Sequence, residues 1–243
     1  MDKNLVDILW VAVCSTLVFG MQAGFLCLEA GLTRSKNFIN VAIKNLIDAG
    51  ICVLIFWALG YAFMFGASAN GIVGLSGWFQ DLNGDDLWKA TFFVYQTMFC
   101  TTAVTILSGA VAERMRIGAY CAAVVVISAL IYPVYGHWVW SGTLSEEYTG
   151  WLGRMGFVDF AGSTVVHSIG GWIALAGLLH VGARTGRFPK DGPPREIPGA
   201  HVPLAVVGCL ILWIGWIGFN GGSTFAFNYS VPKIIANTLL GGC

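Results

Sequence analysis

Apolar residues run almost unbroken through six long stretches, approximately 5–31, 41–65, 88–112, 117–140, 160–181 and 202–225, separated by short polar breaks. A seventh run begins near Val231. Each of the six is long enough to supply the about 20 residues of helix that cross the hydrocarbon core of a bilayer. A membrane β-barrel would instead show alternating segments of about ten residues. The pattern predicts an all-α integral membrane protein, with residues 1–243 forming one domain. The first run follows directly on Met1-Asp2-Lys3, exceeds the length of a signal-peptide core and carries no early small-residue cleavage pattern, so it reads as a retained span.

Composition agrees with this reading. The chain of 243 residues is 56% hydrophobic and 11% charged, whereas charged residues make up about a quarter of a soluble domain. Thirteen Lys and Arg balance thirteen Asp and Glu, which gives no electrostatic case for nucleic acid. The basic residues are nonetheless unevenly placed. Arg34, Lys36, Lys44, Arg114, Arg116, Arg184, Arg187, Lys190 and Arg195 fall in or beside the breaks after the first, third and fifth runs. Asp81, Asp85, Asp86, Glu146 and Glu147 fall in the other breaks. By the positive-inside bias of short loops, the N-terminus is expected outside and the proline-rich break from Arg184 to Ala200 in the cytoplasm. Cys14, Cys27, Cys52, Cys100, Cys121, Cys209 and Cys243 show no metal-ligand spacing and read as small buried apolar side chains. Gly170, Gly171, Ala174 and Gly177 form small-residue pairs suited to close helix packing.

Polar groups inside a span are costly, so each one needs a partner or a function. Glu29, Lys44 and Asp48 lie toward the inner ends of the first two runs. Lys44 and Asp48 are one turn apart, and the spacing predicts an ion pair that helps fasten these two helices together. Asp159 precedes the fifth run, where its carboxylate can accept backbone N–H groups of the first turn. His167, eight residues on, sits roughly 12 Å deeper at 1.5 Å per residue; it is either a pore group or a histidine satisfied by a neighbouring helix. In the sixth run Trp216, Phe219, Asn220 and Ser223 follow i, i+3, i+4, i+7 spacing and share a face, lining a pore or packing helices. His137, His180 and His201 are widely separated and read as packing or solvated groups. No Gly-rich phosphate loop, nucleophile elbow or metal-binding histidine pair is present, so neither an enzyme nor a cofactor is implied.

Four blocks then carry a resemblance. Asp159 to Leu175 (DFAGSTVVHSIGGWIAL) resembles the signature of the Amt/Rh ammonium transporters. Leu32–Asn37 (LTRSKN), Gln96–Phe99 with Ser108–Met115 (SGAVAERM), and Gly215–Ser223 (GWIGFNGGS) agree in order. Trp140 fits the Amt branch. The resemblance implies a narrow apolar pore in each protomer of a homotrimer in the plasma membrane, in bacteria the inner membrane. Trp140, Phe99 and Ser223 match an ammonium-recruiting vestibule, Phe99 and Phe219 a phenyl gate, and His167 the first of two pore histidines. Asp159 matches a site-shaping aspartate, and Trp216 and Asn220 lie beside these positions. A family fold built as an inverted repeat makes this chain the first five-span repeat, the sixth span and the start of the seventh. The second pore histidine is then expected in a tenth span beyond residue 243.

The end of the first run, Met21–Gly31 (MQAGFLCLEAG), departs from the aromatic-Gly-Gly typical of transporters and looks like the branch fused to signalling domains. An ammonium sensor is therefore the alternative to a transporter. A PII-type regulatory protein or a fused signalling domain is the corresponding partner, beside ammonium and lipid.

Overall fold

A computed structural model describes residues 3–144, 147 and 149–243; Met1, Asp2 and the expected outer-side Glu146 lie outside the described residues. Among the described residues, six apolar helices are long enough to cross a membrane: α1 (Leu5–Leu32), α2 (Ser35–Phe65), α3 (Leu87–Ala110), α4 (Ile117–Trp140), α5 (Ser163–Val181) and α6 (Val202–Thr224). A shorter α7 (Val231–Gly242) follows. These bounds agree closely with the apolar runs because burial in protein or lipid removes the alternative of exposed backbone. One exception to the helical architecture is a two-stranded hairpin, β1 (Ser68–Ala69) with β2 (Val73–Gly74), antiparallel with Ser68 opposite Gly74. Asn70 and Gly71 turn it with positive φ values of 55° and 78°, the backbone region these two residues tolerate best.

Helix α3 is the hub. In its most apolar window 78% of residues are buried, against 22–39% in the other spans, so the others surround it and expose one flank each. Three spans contain a wider i→i+5 turn, at Phe56–Gly60 in α2, Ile127–Ile131 in α4 and Ser163–Ser168 in α5. The first two press against each other: a methyl on Gly60 would come within 2.5 Å of the Ser128 carbonyl oxygen. Such turns are not visible in hydropathy, because the chain stays equally apolar through them.

The most extensive helix contact joins α1 to α6. A Cβ at Gly208 would stand 2.5 Å from the Leu28 nitrogen and 2.6 Å from the Gly24 oxygen. The small-residue stripe expected on α5 is only partly used, since Gly170 and Gly177 meet Ile106 and Leu107 of α3 while Gly171 faces open space. The cysteine expectation also needs correction. Cys14, Cys52 and Cys100 are buried, but Cys209 and Cys243 are exposed; an outward helix face in an apolar medium accepts a thiol as readily as a core does.

The breaks after α1, α3 and α5 meet at one end, as the alternation of charged and apolar segments required. Glu113 gathers them. Its Oε1 lies 2.9 Å from Arg34 Nε and accepts from Asn37 Nδ2 at 2.8 Å, while its Oε2 lies 3.1 Å from Arg184 Nη1. Burial alone would raise the Glu113 carboxyl, but the hydrogen bonds from Arg34, Asn37 and Arg184 outweigh it and hold the pKa at about 2. At the other end the Phe227 N–H donates to Asp7 Oδ1 (2.8 Å) and Trp138 Nε1 to the Ile72 carbonyl (2.8 Å).

The expected Lys44–Asp48 ion pair is not made. Lys44 Nζ donates to the Ser108 carbonyl (2.9 Å) and stands 4.7 Å from the centre of the Tyr120 ring, whose hydroxyl donates to Asp48. Each side chain finds its hydrogen-bond partner on another helix. The polar cluster does tie helices together, but it ties four of them, α1 to α4.

Candidate functional site

A cavity of about 380 Å³ opens at the end of the bundle opposite Glu113, lined by Gln96 and Phe99 of α3, Trp140 of α4, Phe157–Phe160, and Ser223 and Phe225 at the end of α6. Two phenyl rings form its floor. Phe99 and Phe219 stack with ring centres 3.9 Å apart and planes 5° from parallel, and both are at most 1% exposed. Their burial follows from position: each faces across the contact between α3 and α6. Tyr95, one turn from Phe99, braces the pair from above (4.5 Å between ring centres) and donates its hydroxyl to the Phe219 carbonyl at 2.7 Å.

The wall of the cavity is an aromatic face with one hydroxyl. Trp140 lies 6.0 Å from Phe99, and its indole N–H donates to the Asp159 carbonyl at 2.7 Å, which fixes the ring plane. Ser223 Oγ donates to the Phe219 carbonyl at 2.9 Å. The same oxygen lies 3.2 Å from the Tyr95 hydroxyl and lines the cavity.

Asp159 behaves as a helix cap on a large scale. Oδ1 accepts the N–H groups of Gly162 (2.6 Å) and Ser163 (3.0 Å). Oδ2 accepts those of Thr164 (2.9 Å) and Val165 (2.9 Å), together with the Thr164 hydroxyl (2.5 Å). The carboxylate is therefore consumed by the start of α5 and offers its charge to the cavity only through space. The turn it holds is the wide one that carries His167, whose N–H bonds back to the Gly162 carbonyl at 2.9 Å. Gly162 reaches φ 96° to begin it, a conformation that glycine adopts without strain.

His167 sits beneath the phenyl pair, 5.4 Å from Phe219 between ring centres, and one side of it is exposed. From the cavity mouth toward the bundle interior the order is thus Trp140 and Ser223, then Phe99 and Phe219, then His167. The structure does not bring the other two predicted residues to the cavity. Asn220 donates to Thr238 of α7 at 3.0 Å, and Trp216 lies a turn deeper on α6, 38% exposed and outside the lining. Of the remaining histidines, His137 is fully buried between Ser68 and the Met64 carbonyl, and His201 caps α6 by accepting the Leu204 N–H.

Two contributors went unnoticed in the sequence. Tyr95 is signalled only by its i, i+4 relation to Phe99, and Phe225 enters the wall because its own φ of 51° turns the chain back at the end of α6.

The family model for the Ammonium Transporter Family matches residues 9–243. A Synechocystis protein named for ammonium transport, sll0537, is 54% identical over 98% of this chain and 44% of its own length. Ammonium transporter Amt2 of Archaeoglobus fulgidus is 46% identical over 97% of this chain and 51% of its own. Among solved structures, a "Sensor Amt Protein" superposes with a TM-score of 0.93 at 43% identity, over 97% of this chain and 58% of that one. The chain spans about half the length of the curated relatives it matches.

Proposed function

Starting from a chain that belongs to the ammonium transporter family, we propose that it supplies one side of an ammonium-conducting pore in a multi-pass membrane protein. The observation that carries this reading is the vertical order of the site, an aromatic and hydroxyl-lined cavity, a closed phenyl pair and a histidine directly below. A small cation is drawn to indole and phenyl faces by about 0.5–2 kcal/mol, and the Ser223 oxygen accepts one of its protons. Recruitment then needs no fixed counter-charge within the cavity.

Selectivity follows from what comes next. An ion forced past Phe99 and Phe219 loses its hydration for only the small attraction of the rings, whereas neutral ammonia, its proton left with water in the cavity, crosses an apolar passage at little cost. A potassium ion enjoys the same attraction at Trp140 but has no proton to give up. His167 is placed to hydrogen-bond ammonia or to handle the proton, since imidazole changes charge near neutral pH. The opposite wall, with a second histidine facing His167, comes in this reading from a second repeat beyond these residues. Homotrimeric assembly and an N-terminus on the outer side belong to the same proposal, the latter resting on the basic breaks at the Glu113 end.

The test is ammonium flux in liposomes reconstituted with the intact protein. An ammonium-driven current or internal pH change that Trp140→Leu and His167→Ala both diminish is the expected result, and full-length folded protein giving no flux refutes it. A second reading, an ammonium sensor acting through a signalling module, draws on the likeness to the "Sensor Amt Protein". Ammonium binding by calorimetry without flux would favour it.

A further inference from the structure

The polar cluster at the inner half of the bundle plays no part in the vestibule or gate. Glu29 of α1, Lys44, Asn45 and Asp48 of α2, Ser108 of α3 and Tyr120 of α4 meet there, each at most 6% exposed. Asn45 Nδ2 and Ser108 Oγ both donate to Glu29 Oε2, at 3.0 and 2.7 Å, Lys44 donates to the Ser108 carbonyl, and Tyr120 donates to Asp48 Oδ2. Three acceptors are left over. Glu29 Oε1, Asn45 Oδ1 and Asp48 Oδ1 are all buried without a hydrogen-bond partner among the described residues. Asn45 turns its amide nitrogen to Glu29 and stands about one helical turn from Asp48 on α2.

The charge count points the same way as the orphan oxygens. Two carboxylates face one ammonium group, leaving one negative charge in a region where an uncompensated charge is strongly disfavoured. Arg114, the next cation, directs its guanidinium to the carbonyls of Ala110, Ala112 and Gly182 and hydrogen-bonds neither carboxylate. Buried acceptors without donors are rare enough in folded proteins that each calls for a reason.

We propose that this cluster is a proton-binding site, holding one exchangeable proton between the Glu29 and Asp48 carboxyls in hydrogen-bond reach of Asn45. One proton cancels the excess charge, converts a carboxyl oxygen into a donor and gives the Asn45 oxygen a partner. It needs no coordination shell, unlike a metal cation. A cavity of about 270 Å³ lined by Glu29, Thr33, Gly109, Arg114 and Arg184 adjoins the site at the Glu113 end and gives the proton its exchange route. The site is separate from His167 and does not depend on whether the protein conducts ammonium.

Infrared spectroscopy of the intact protein in lipid at neutral pH tests this. The wild type should show a carbonyl stretch from a protonated carboxyl that shifts in deuterated water. Charge balance makes a sharper prediction: the band should disappear in Glu29→Gln and also in Asp48→Asn, because Lys44 then balances the one remaining carboxylate. Lys44→Gln should strengthen the band about twofold, since two carboxylates then lack a cation. A wild-type spectrum without the band, or a band that survives both carboxyl substitutions, overturns the proposal, and loss in only one of them overturns the sharing. Should a variant fail to fold, isotope-labelled glutamate or aspartate assigns the band in the wild type, and a band that moves with neither label overturns the proposal.

Discussion

Asp159→Asn is the substitution whose consequence can be worked furthest from the structure. The carboxylate accepts five hydrogen bonds, two at Oδ1 and three at Oδ2. An asparagine keeps one oxygen and so one set of partners. In place of the other it offers an NH2 group to the N–H groups of Thr164 and Val165, while the Thr164 hydroxyl can rotate to accept. Two backbone donors are orphaned, at about 1–3 kcal/mol each when buried; Val165 is fully buried and Thr164 partly so, giving about 2–4 kcal/mol against the first turn of α5. At 1.4 kcal/mol per tenfold change, the turn should open roughly 30- to 700-fold more often. Amide hydrogen exchange by mass spectrometry over residues 162–167 reads this directly. Because the same turn carries His167 and borders Trp140, flux in liposomes should fall in parallel. Wild-type exchange rates across 162–167 in a folded Asp159→Asn protein would refute the reasoning, whatever the flux.

Other expectations follow from separate parts of the molecule. Glu113 titrates at about 2 rather than near its ordinary 4.5. A depressed carboxyl contributes stability that is fully present above its unfolded value and is lost as pH falls toward the folded one, so the melting temperature should drop between those values and Glu113→Gln should remove that part of the acid sensitivity. Gly208→Ala places a methyl against the backbone of Leu28 and Gly24, where no side chain can yield; a loss of stability of about 1–3 kcal/mol or more is expected, measured as a lower melting temperature in detergent. Trp140→Leu removes the indole face together with its hydrogen bond to the Asp159 carbonyl, and should weaken apparent ammonium affinity about 2- to 30-fold.

The bilayer explains why so much of the fold was legible. A spanning segment must be apolar for about 20 residues and must satisfy its own backbone, so hydropathy located six helices to within a few residues and charge placed alternate breaks together at the Glu113 end. Helical spacing placed Phe219 and Ser223 on one face, because residues at helical intervals share a face wherever the helix goes, and the family resemblance joined Phe99 and Trp140 to them. Asp159 as a cap was readable for the same local reason.

What hydropathy could not carry was which face meets which helix. Asn220 shares a face with Phe219 and Ser223 by spacing, yet α7 offers it Thr238 as a partner, and only the packing of α6 against α7 reveals that. Lys44 and Asp48 are neighbours on one helix, but Lys44 donates to the carbonyl of Ser108 and Asp48 accepts from the hydroxyl of Tyr120, and only the packing of other helices against α2 reveals those partners. The wide turns of α2, α4 and α5 are equally silent, since an i→i+5 bond changes no residue's polarity. The sequence by itself determined the solvent, the number of spans and the cap of α5, all set by local transfer energies and periodicity. The stacking of Phe99 on Phe219 above His167 and the orphan oxygens of Glu29, Asn45 and Asp48 were decided by the tertiary structure alone, because each depends on distances between helices far apart along the chain.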